Sequence, residues 1–450
     1  MFEEVLPYSH TYEGKDVTPI AATLAPDQKR HYLIFHDETC VHANELDNFA
    51  WMREGEQPLR NKSRGRIVHV SDFIIEECGF LRLDEYEISQ QLKLPEAPAP
   101  PNGTASTGNG RSYEGNDWVP PPPPALFVNY RLNSFDARRI IYPGAKHDAW
   151  WDMPQLIKQT KDAIKIFKAK FPDGISVFAY DCSSAHAAFA SDALLAHKMN
   201  CYPGGKQPKM RSTVIPSTGE IQLMVFPDDT NEVDKQGHSL AGQPKGLERV
   251  LDERGLLAPL KAKHGSKLVA TCKTCRLSQE AREKALREAK AKEDEIEGLG
   301  AEDTNWGACE EEEDLERSSD CCMQRVLSLQ SDFRDEKPLL QLIIEQAGHK
   351  CVFLPKFHCE LNPIEMVWSQ LKRHFQDLAD GTFPTAKELV PKCLDTVTTV
   401  NIRRYFQHCW RYMDAYRHGL NVKQAAYAVK KYTSHRRISP SVMMDVNIIS

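Results

Sequence analysis

Four apolar runs that end in polar residues stand in the first half of the chain. They are HYLIFHDET (31–39), GRIVHVSDF (65–73), ARRIIYPG (137–144) and GISVFAYDCSSAH (174–186). A short apolar run bounded by polar or turn residues is typical of a central β-strand. The pattern therefore predicts strands at all four places.

Helical periodicity follows two of these runs. MPQLIKQTKDAIKIFKAKF (153–171) predicts a helix that Pro172 ends, because its apolar residues recur at positions 156, 157, 164 and 167. AAFASDALLAHKM (187–199) is also predicted to be helical. Strands that alternate with helices indicate an α/β sheet.

The pattern is interrupted after this point and then resumes. A helix is predicted at 337–347, ended by Gly348, and a strand at HKCVFLP, 349–355. We therefore divide the chain into a first core segment, an insert, a second core segment and a basic helical tail. Their boundaries are 1–202, 203–336, 337–376 and 377–450.

The next segment, FLPKFHCELNPIEMVWSQLKRHF (353–375), predicts a turn and a helix that starts at Asn362. Asn362 suits the N-cap, Pro363 the first helical position, and Glu365 the acid of a capping box. Capping alone would explain Glu365. A catalytic or metal-binding role for Glu365 would require further acids elsewhere in the chain.

Two stretches have compositions that cannot bury a core. Residues 95–124 are rich in Pro and Gly and predict a flexible loop or a polyproline spacer. The insert contains a predicted charged helix at 278–296 and an acidic run at 293–320, which we expect to be disordered. That run holds thirteen Asp and Glu against one Arg, so the remaining chain carries +6 although the whole carries −6.

The C-terminal part is basic. Residues 366–450 hold thirteen Lys and Arg against six acids, and RRYFQHCWRYMDAYRHG (403–419) interleaves them with aromatic residues. This combination suits a polyanion, although an amphipathic helix with a solvated face has the same pattern. The expected phosphate contacts are Lys372, Arg373, Arg403, Arg404 and Arg411.

No apolar run approaches the roughly 18 residues of a membrane span. The start, MFEEVLPYSH, lacks the basic and apolar parts of a signal peptide. We therefore expect the cytosol or the nucleus, and no membrane partner. In such a reducing compartment the thirteen cysteines should be buried thiols or metal ligands.

Two cysteine pairs are candidate zinc ligands. Cys272-x2-Cys275 and the adjacent Cys321 and Cys322 could close a tetrahedral four-thiolate site. Chance or simple burial explains them as well, because adjacent cysteines rarely share one ion comfortably. A second group that could supply ligands, or could merely pack a strand and a turn, is His349, Cys351, His358 and Cys359.

Asp37, Asp181 and Glu365 each stand at the end of a strand or at the start of a helix that follows one. In an open α/β sheet such positions face a common crevice. Three converging carboxylates repel one another unless cations lie between them, and carboxylate ligands favour two magnesium or manganese ions. Asp72 and Asp148 compete for these roles. We prefer Asp181 partly because His186, five residues later, could reach the same crevice.

The order of these residues resembles that of the DDE transposases of the mariner-like superfamily, whose third acid sits in an Asn-Pro-Ile-Glu motif with a downstream Trp. The wider pattern looks like a fungal branch of that group and extends from residue 31 to about 437. Its patches, in order, are SDFIIEECGFL, YPGAKHDAWWD, YPGGKQPKMR, LDERGL, PKFHCELNPIE and YMDAYRHGL.

The resemblance implies a ribonuclease-H-like mixed sheet flanked by helices, with Asp37 on the first strand, Asp181 at the end of the fourth and Glu365 on a later helix. It implies a nuclear enzyme that binds two Mg or Mn ions, nicks DNA at terminal inverted repeats and joins the freed 3′-hydroxyl to target DNA. It also implies a homodimer in a synaptic complex.

Two departures from that family bear on function. Asp181 and Glu365 are 184 residues apart, so the insertion between the second and third acids is large. Only 36 residues precede Asp37, where relatives carry helix-turn-helix modules, so we expect a catalytic domain without them and a truncated or inactive element product. The alternative function is a domesticated, non-cleaving DNA-binding or scaffold protein.

Overall fold

The structure is a computed structural model, and it describes residues 2–45, 63–96, 130–144, 147–182, 186–234, 236–277, 318–356 and 358–431. Two compact units divide these residues. The first unit takes its described residues from 1–111, 120–188 and 339–450, and the second takes them from 189–338. Within the part of the chain that is described, no helix is both long enough and apolar enough to cross a membrane.

The strands, in chain order, are β1 (Thr11–Glu13), β2 (Thr18–Ile20), β3 (His31–His42), β4 (Ile67–Ile75), β5 (Gly79–Phe80), β6 (Arg139–Ile141), β7 (Ile175–Tyr180), β8 (Thr213–Val214), β9 (Ile221–Gln222) and β10 (Lys350–Phe353).

The described α-helices are α1 (Glu85–Gln91), α2 (Met153–Lys170), α3 (Leu247–Glu253), α4 (Leu257–His264), α5 (Met323–Ser328), α6 (Ser331–Arg334), α7 (Leu339–Gln346), α8 (Ile364–Leu378), α9 (Phe383–Asp395), α10 (Thr399–Arg417) and α11 (Val422–Lys431).

A six-stranded mixed sheet forms the centre of the first unit. Its order is β10-β7-β3-β4-β5, and β6 also pairs with β4. β3, β7 and β10 are mutually parallel, whereas β4 runs antiparallel to β3, β5 and β6. The long strands β3 and β4 pair from Ile34↔Ile75 to His42↔Ile67, so the middle of the sheet is its longest part.

Helices cover both faces of this sheet. Because side chains alternate along a strand, Leu33 and Phe35 of β3 point to one face and Ile34 to the other. Leu33 and Phe35 pack in one buried cluster with residues of α8, α9 and α10. Ile34 packs in a second cluster with residues of α2 and α7. The predicted α/β layering is thereby confirmed.

The second unit contains the hairpin β8–β9 and helices α3 to α6. Asp332, at the start of α6, connects α6 to the segment after α3 and to β8. Arg254, which follows α3, donates from Nη1 and Nη2 to the two carboxylate oxygens of Asp332 at 3.0 and 2.7 Å, and the Thr213 hydroxyl of β8 donates to the same residue at 2.9 Å. The range 203–336, predicted as an insert, lies within this unit.

The predicted strands and the helices at 153–171 and 337–347 are confirmed to within a few residues, but the helix at 187–199 is wrong. That segment has only a 3-10 turn, Ala196–Lys198. Two of its carbonyls accept from residues far along the chain: Ala188 O from Leu339 N, and Asp192 O from Arg211 N, both at 2.9 Å. Tertiary hydrogen bonds therefore override the helical propensity.

Several predictions fall on residues that the structure does not describe. These are most of the loop 95–124, the charged helix at 278–296, nearly all of the acidic run 293–320, and the last nineteen residues of the tail. Residues 377–431 of the predicted helical tail include helices α9, α10 and α11, and the first two of these pack on the sheet.

Candidate active site

Asp37 and Asp181 are carried by two adjacent parallel strands, Asp37 within β3 and Asp181 directly after β7. The predicted strand-end position is therefore wrong for Asp37, because β3 continues to His42 in its pairing with β4. The last register pair of β3 and β7 is Phe35↔Ala179, and two residues further along each strand come Asp37 and Asp181. Because the side-chain period of a strand is two, both carboxylates continue the face on which Phe35 and Ala179 pack. The sheet alone thus places the first two predicted acids together.

Glu365 is added from the helix layer on that same face. It lies in the first turn of α8, whose buried stripe of Ile364, Trp368, Leu371 and Phe375 packs on the sheet. The stripe agrees with the predicted i, i+4, i+7, i+11 spacing. Glu365 lies off this stripe and is partly exposed, so its carboxylate is left at the rim of the packed layer.

The predicted capping of α8 is wrong. The helix begins at Ile364, Pro363 holds the N-cap position, and no side chain caps the helix. Asn362 instead donates from Nδ2 to the His36 carbonyl of β3 at 3.4 Å. This contact draws the turn onto the strand that carries Asp37. Glu365 therefore has no part in a capping box.

The charges of the other acids act on Asp37. Burial raises the pKa of Asp37 well above its usual range, and the negative charges of Glu365, Glu38 and Asp181 raise it further. Trp368 of α8 donates from Nε1 to Oδ2 of Asp37 at 3.2 Å. The backbone of Glu38 also hydrogen-bonds to Asp37 and acts to lower its pKa, so neutral donors partly offset the neighbouring negative charges.

His186 lies where the sequence predicted, next to Asp181. Its Nδ1 hydrogen-bonds to the Asp181 carboxylate, and its Nε2 lies 3.3 Å from the carboxylate of Glu38. Burial acts to lower the pKa of His186, but its hydrogen bonds to these two acids, and their charges, raise it well above the usual range. A protonated His186 therefore bridges Asp181 and Glu38.

Glu38 is the member of this group that sequence reasoning missed. Trp151 donates to it from Nε1 at 2.9 Å. Burial acts to raise the pKa of Glu38, but the neighbouring His36 and His186 lower it to about 2. Two signals could have found it: it follows Asp37 in the run HDET, and Trp151 stands in the unusual KHDAWWD.

Glu38 also belongs to a group of metal-donor atoms. One donor atom each of His36, Glu38 and His186 lie within 4.8 Å of one another, close enough to hold an ion. His36 is fully buried, and its Nε2 shares a hydrogen bond with the Ser71 hydroxyl at 2.8 Å. His36 and His186 already hydrogen-bond to Ser71 and Asp181, so we assign this group to positioning Asp181.

The two competing acids have other partners. Asp72 is completely buried and receives a hydrogen bond from Nε of Arg138 at 2.6 Å, which makes it half of an ion pair. Asp148 accepts the backbone N–H of Tyr142 at 2.7 Å. These contacts account for Asp72 and Asp148 as structural residues, so Asp37 and Asp181 remain the candidate ligands.

The cysteine pairs of the second unit converge, but the second candidate group does not. The four sulfurs of Cys272, Cys275, Cys321 and Cys322 lie within 4.8 Å of one another and could hold an ion. In the other group, His349 Nδ1 accepts the Ser176 N–H at 3.1 Å and His358 Nδ1 bonds to Glu360 at 2.6 Å. Strand and turn packing therefore accounts for the second group.

The five predicted phosphate contacts separate into two sets. Arg373 and Arg404 are exposed and Lys372 is partly exposed, whereas Arg411 is only 7% exposed and is packed in α10 beside His408. Arg403 donates to the carbonyls of Glu76 and Glu77 at 3.0 Å and stacks on a tyrosine. We correct the prediction for Arg403 and Arg411 because both guanidinium groups are used for packing.

Taken together, the site joins carboxylates from β3, from the end of β7 and from α8 at one edge of the sheet. Oxygen donors of this kind suit a divalent cation. No protein-family model, curated protein or solved structure matches this chain.

Proposed function

We propose that the first unit is a metal-dependent DNA strand-transfer domain of the DDE transposase type. The observation that carries the proposal is that Asp37 and Asp181 lie on adjacent parallel strands, and that burial, Glu365 and Asp181 all raise the pKa of Asp37. The resemblance in sequence points to the same three residues. Motif order and the strand register both support the proposal.

The sheet supports a ribonuclease-H-like assignment. Such a core has three parallel strands, a long antiparallel strand beside the first of them, and a further antiparallel neighbour at the edge. The observed order, with β3, β7 and β10 parallel and β4 antiparallel to β3, has these features. Counting the short β5 and β6 together as the third strand, Asp37 lies on the first strand and Asp181 at the end of the fourth. The 189–338 unit would then be the insertion between the second and third acids.

The donor set fits two magnesium or manganese ions. Three carboxylates provide only oxygen ligands. Burial and the neighbouring negative charges raise the pKa of Asp37, and a bound cation would oppose both effects by favouring the charged carboxylate. When bound, a pair of such ions activates the attacking oxygen and stabilises the leaving oxygen at a phosphodiester. Residues that would hold them are Asp37, Asp181 and Glu365.

The surrounding residues would orient these ligands. Trp368 fixes one oxygen of Asp37 by its hydrogen bond, and His186 fixes one oxygen of Asp181. Glu38 in turn orients His186. Asp181 is 46% exposed, so a DNA strand in solvent could reach it.

The DNA partners would be a terminal inverted repeat and then target DNA. The protein would act in the nucleus. Of the predicted phosphate contacts, Arg373 and Arg404 are exposed and Lys372 is partly exposed. Their charge suits the phosphate backbone, which needs no base-specific geometry. A homodimer that pairs two DNA ends belongs to the same proposal.

The test is a nicking assay on the DNA that flanks the gene, with Mg²⁺ or Mn²⁺ as the only variable metal. We expect the full chain to nick one strand, and we expect Asp37→Asn, Asp181→Asn and Glu365→Gln to lower the rate by at least about 10³-fold, since each removes several kcal/mol of charge stabilisation. Asp148→Asn is the matched control and should keep activity.

The alternative is a DNA-binding or scaffold protein that does not cleave. It predicts that the full chain and Asp181→Asn bind DNA equally and that neither nicks it. Equal activity in both proteins would also reject the proposed site, because cleavage would then arise elsewhere.

A further inference from the structure

The four cysteines of the second unit have the spacing of a closed metal site. Sγ of Cys321 lies 3.6 Å from that of Cys272, 3.5 Å from that of Cys275 and 3.9 Å from that of Cys322, and Cys322 lies 4.0 Å from Cys275. Four sulfurs held tetrahedrally at about 2.3 Å from one zinc ion are about 3.75 Å apart. The observed separations surround this value, and all are far longer than the roughly 2.05 Å of a disulfide bond.

The backbone holds the two pairs together without help from the thiols. Residues 276–320 separate the pairs in sequence, yet Gln324 N donates to Ala270 O at 2.9 Å and Met323 N to Val269 O at 3.3 Å. The Thr271 hydroxyl adds a bond of 2.6 Å to the Gln324 side chain. Segments 269–272 and 322–324 are therefore joined beside the cysteines, so the site is built by the fold.

Backbone geometry also suits thiolate ligands. Cys275 N donates to Sγ of Cys272 at 3.4 Å, the kind of N–H···S contact that stabilises a negative sulfur. The Sγ of Cys322 lies 3.9 Å from that of the adjacent Cys321 and 4.0 Å from that of Cys275. The two adjacent cysteines therefore reach one centre, which removes the objection raised by their adjacency in sequence.

We propose that Cys272, Cys275, Cys321 and Cys322 bind one structural Zn²⁺ ion that closes the second unit. With four protein ligands the site leaves no position for substrate, which separates it from the carboxylate site of the first unit. The ion would link the two ends of the 276–320 segment and thereby reduce the entropy of the unfolded chain. This inference goes beyond the proposed DNA chemistry and does not depend on it.

The experiment measures zinc in the purified full-length protein after dialysis against a weak chelator. We expect one zinc per chain, released when a mercurial reagent modifies the thiols. Single variants Cys272→Ser, Cys275→Ser, Cys321→Ser and Cys322→Ser should each lower zinc affinity by at least about 100-fold. Cys201→Ser, in the same unit but outside the cluster, is the matched control and should retain one zinc.

Cobalt provides a second readout that needs no variant. Co²⁺ added to the chelated full-length protein should give the intense visible absorption of a tetrahedral thiolate complex and saturate at one ion per chain. Retention of zinc by Cys322→Ser would overturn the four-cysteine assignment, and equal zinc content in Cys321→Ser and Cys201→Ser would overturn the site. If the variants are insoluble, absence of the cobalt spectrum in the natural sequence overturns the proposal by itself.

Discussion

The indole Nε1 of Trp368 donates to Oδ2 of Asp37 at 3.2 Å, across 331 residues of sequence. The rest of the Trp368 side chain is buried in the apolar cluster between α8 and the sheet. One residue therefore joins the packing of the helix layer to the position of a carboxylate in the proposed active site. This double role allows its two contributions to be separated by substitution.

Trp368→Phe should weaken activity more than stability. The phenyl ring keeps much of the packing but loses the donor, so the free energy of unfolding should fall by about 1–2 kcal/mol while the Mg²⁺-dependent nicking rate falls by about tenfold or more. Urea unfolding and the nicking assay measure the two effects. Trp410→Phe, in the same apolar cluster, is the control and should alter only stability. An equal loss of rate in both variants would exclude a specific role for the Trp368 bond.

His186→Ala should raise the Mg²⁺ concentration that nicking requires. His186 holds Asp181 by a hydrogen bond and is itself held by Glu38, so its removal frees the proposed ligand to rotate. We expect the Mg²⁺ concentration for half-maximal nicking to rise by about 10–100-fold, with partial recovery at high Mg²⁺. His238→Ala changes an exposed histidine of the other unit and should have no effect. Loss of activity that no Mg²⁺ concentration restores would contradict a positioning role.

The pH dependence of stability should carry the signature of Asp72. Burial raises its pKa from 3.8 to about 6, although Arg138 acts in the opposite direction. The folded state therefore binds more protons than the unfolded state between pH 4 and pH 6, and the free energy of unfolding should fall as the pH rises through that window, by on the order of 3 kcal/mol.

Chemical unfolding of the full chain at several pH values between 4 and 7 measures this slope. Asp72→Asn keeps an oxygen for Arg138 but cannot titrate, so the contribution between pH 4 and pH 6 should disappear. Asp395→Asn is the matched control, since Asp395 lies 3.4 Å from the same arginine but is largely exposed. If Asp72→Asn and Asp395→Asn change the slope equally, Asp72 is not its source.

DNA binding should depend on the exposed arginines and not on the packed ones. If Arg373 and Arg404 each contact a phosphate of duplex DNA, replacing both by alanine should flatten the dependence of log K on log salt by about 1.8, with sequence preference unchanged. Arg334→Ala, an exposed arginine of the second unit, is the control. An unchanged slope in the double variant would show that these side chains merely face water.

Apolar periodicity predicts the main elements of the first unit, because a helix or strand with one or both faces buried has apolar residues at regular positions in the sequence. The apolar run at 31–39 and the apolar stripe of α8 both predict the observed elements. The segment 187–199 does not form the predicted helix: its alanines favour a helix locally, but the carbonyls of Ala188 and Asp192 accept from residues far along the chain. Local propensity carries no information about such partners.

Asp37, Asp181 and Glu365 could be chosen from the sequence because strand ends and a motif mark them. Glu38 could not, because its importance arises from His186 and Trp151, which only the folded chain brings to it. Likewise the loss of the Asn362 cap and the packing of Arg411 follow from contacts between distant segments. The sequence by itself determined which residues could take part, through their chemistry and spacing; the tertiary structure decided their partners, because hydrogen bonds and charge interactions depend on distances that only packing sets.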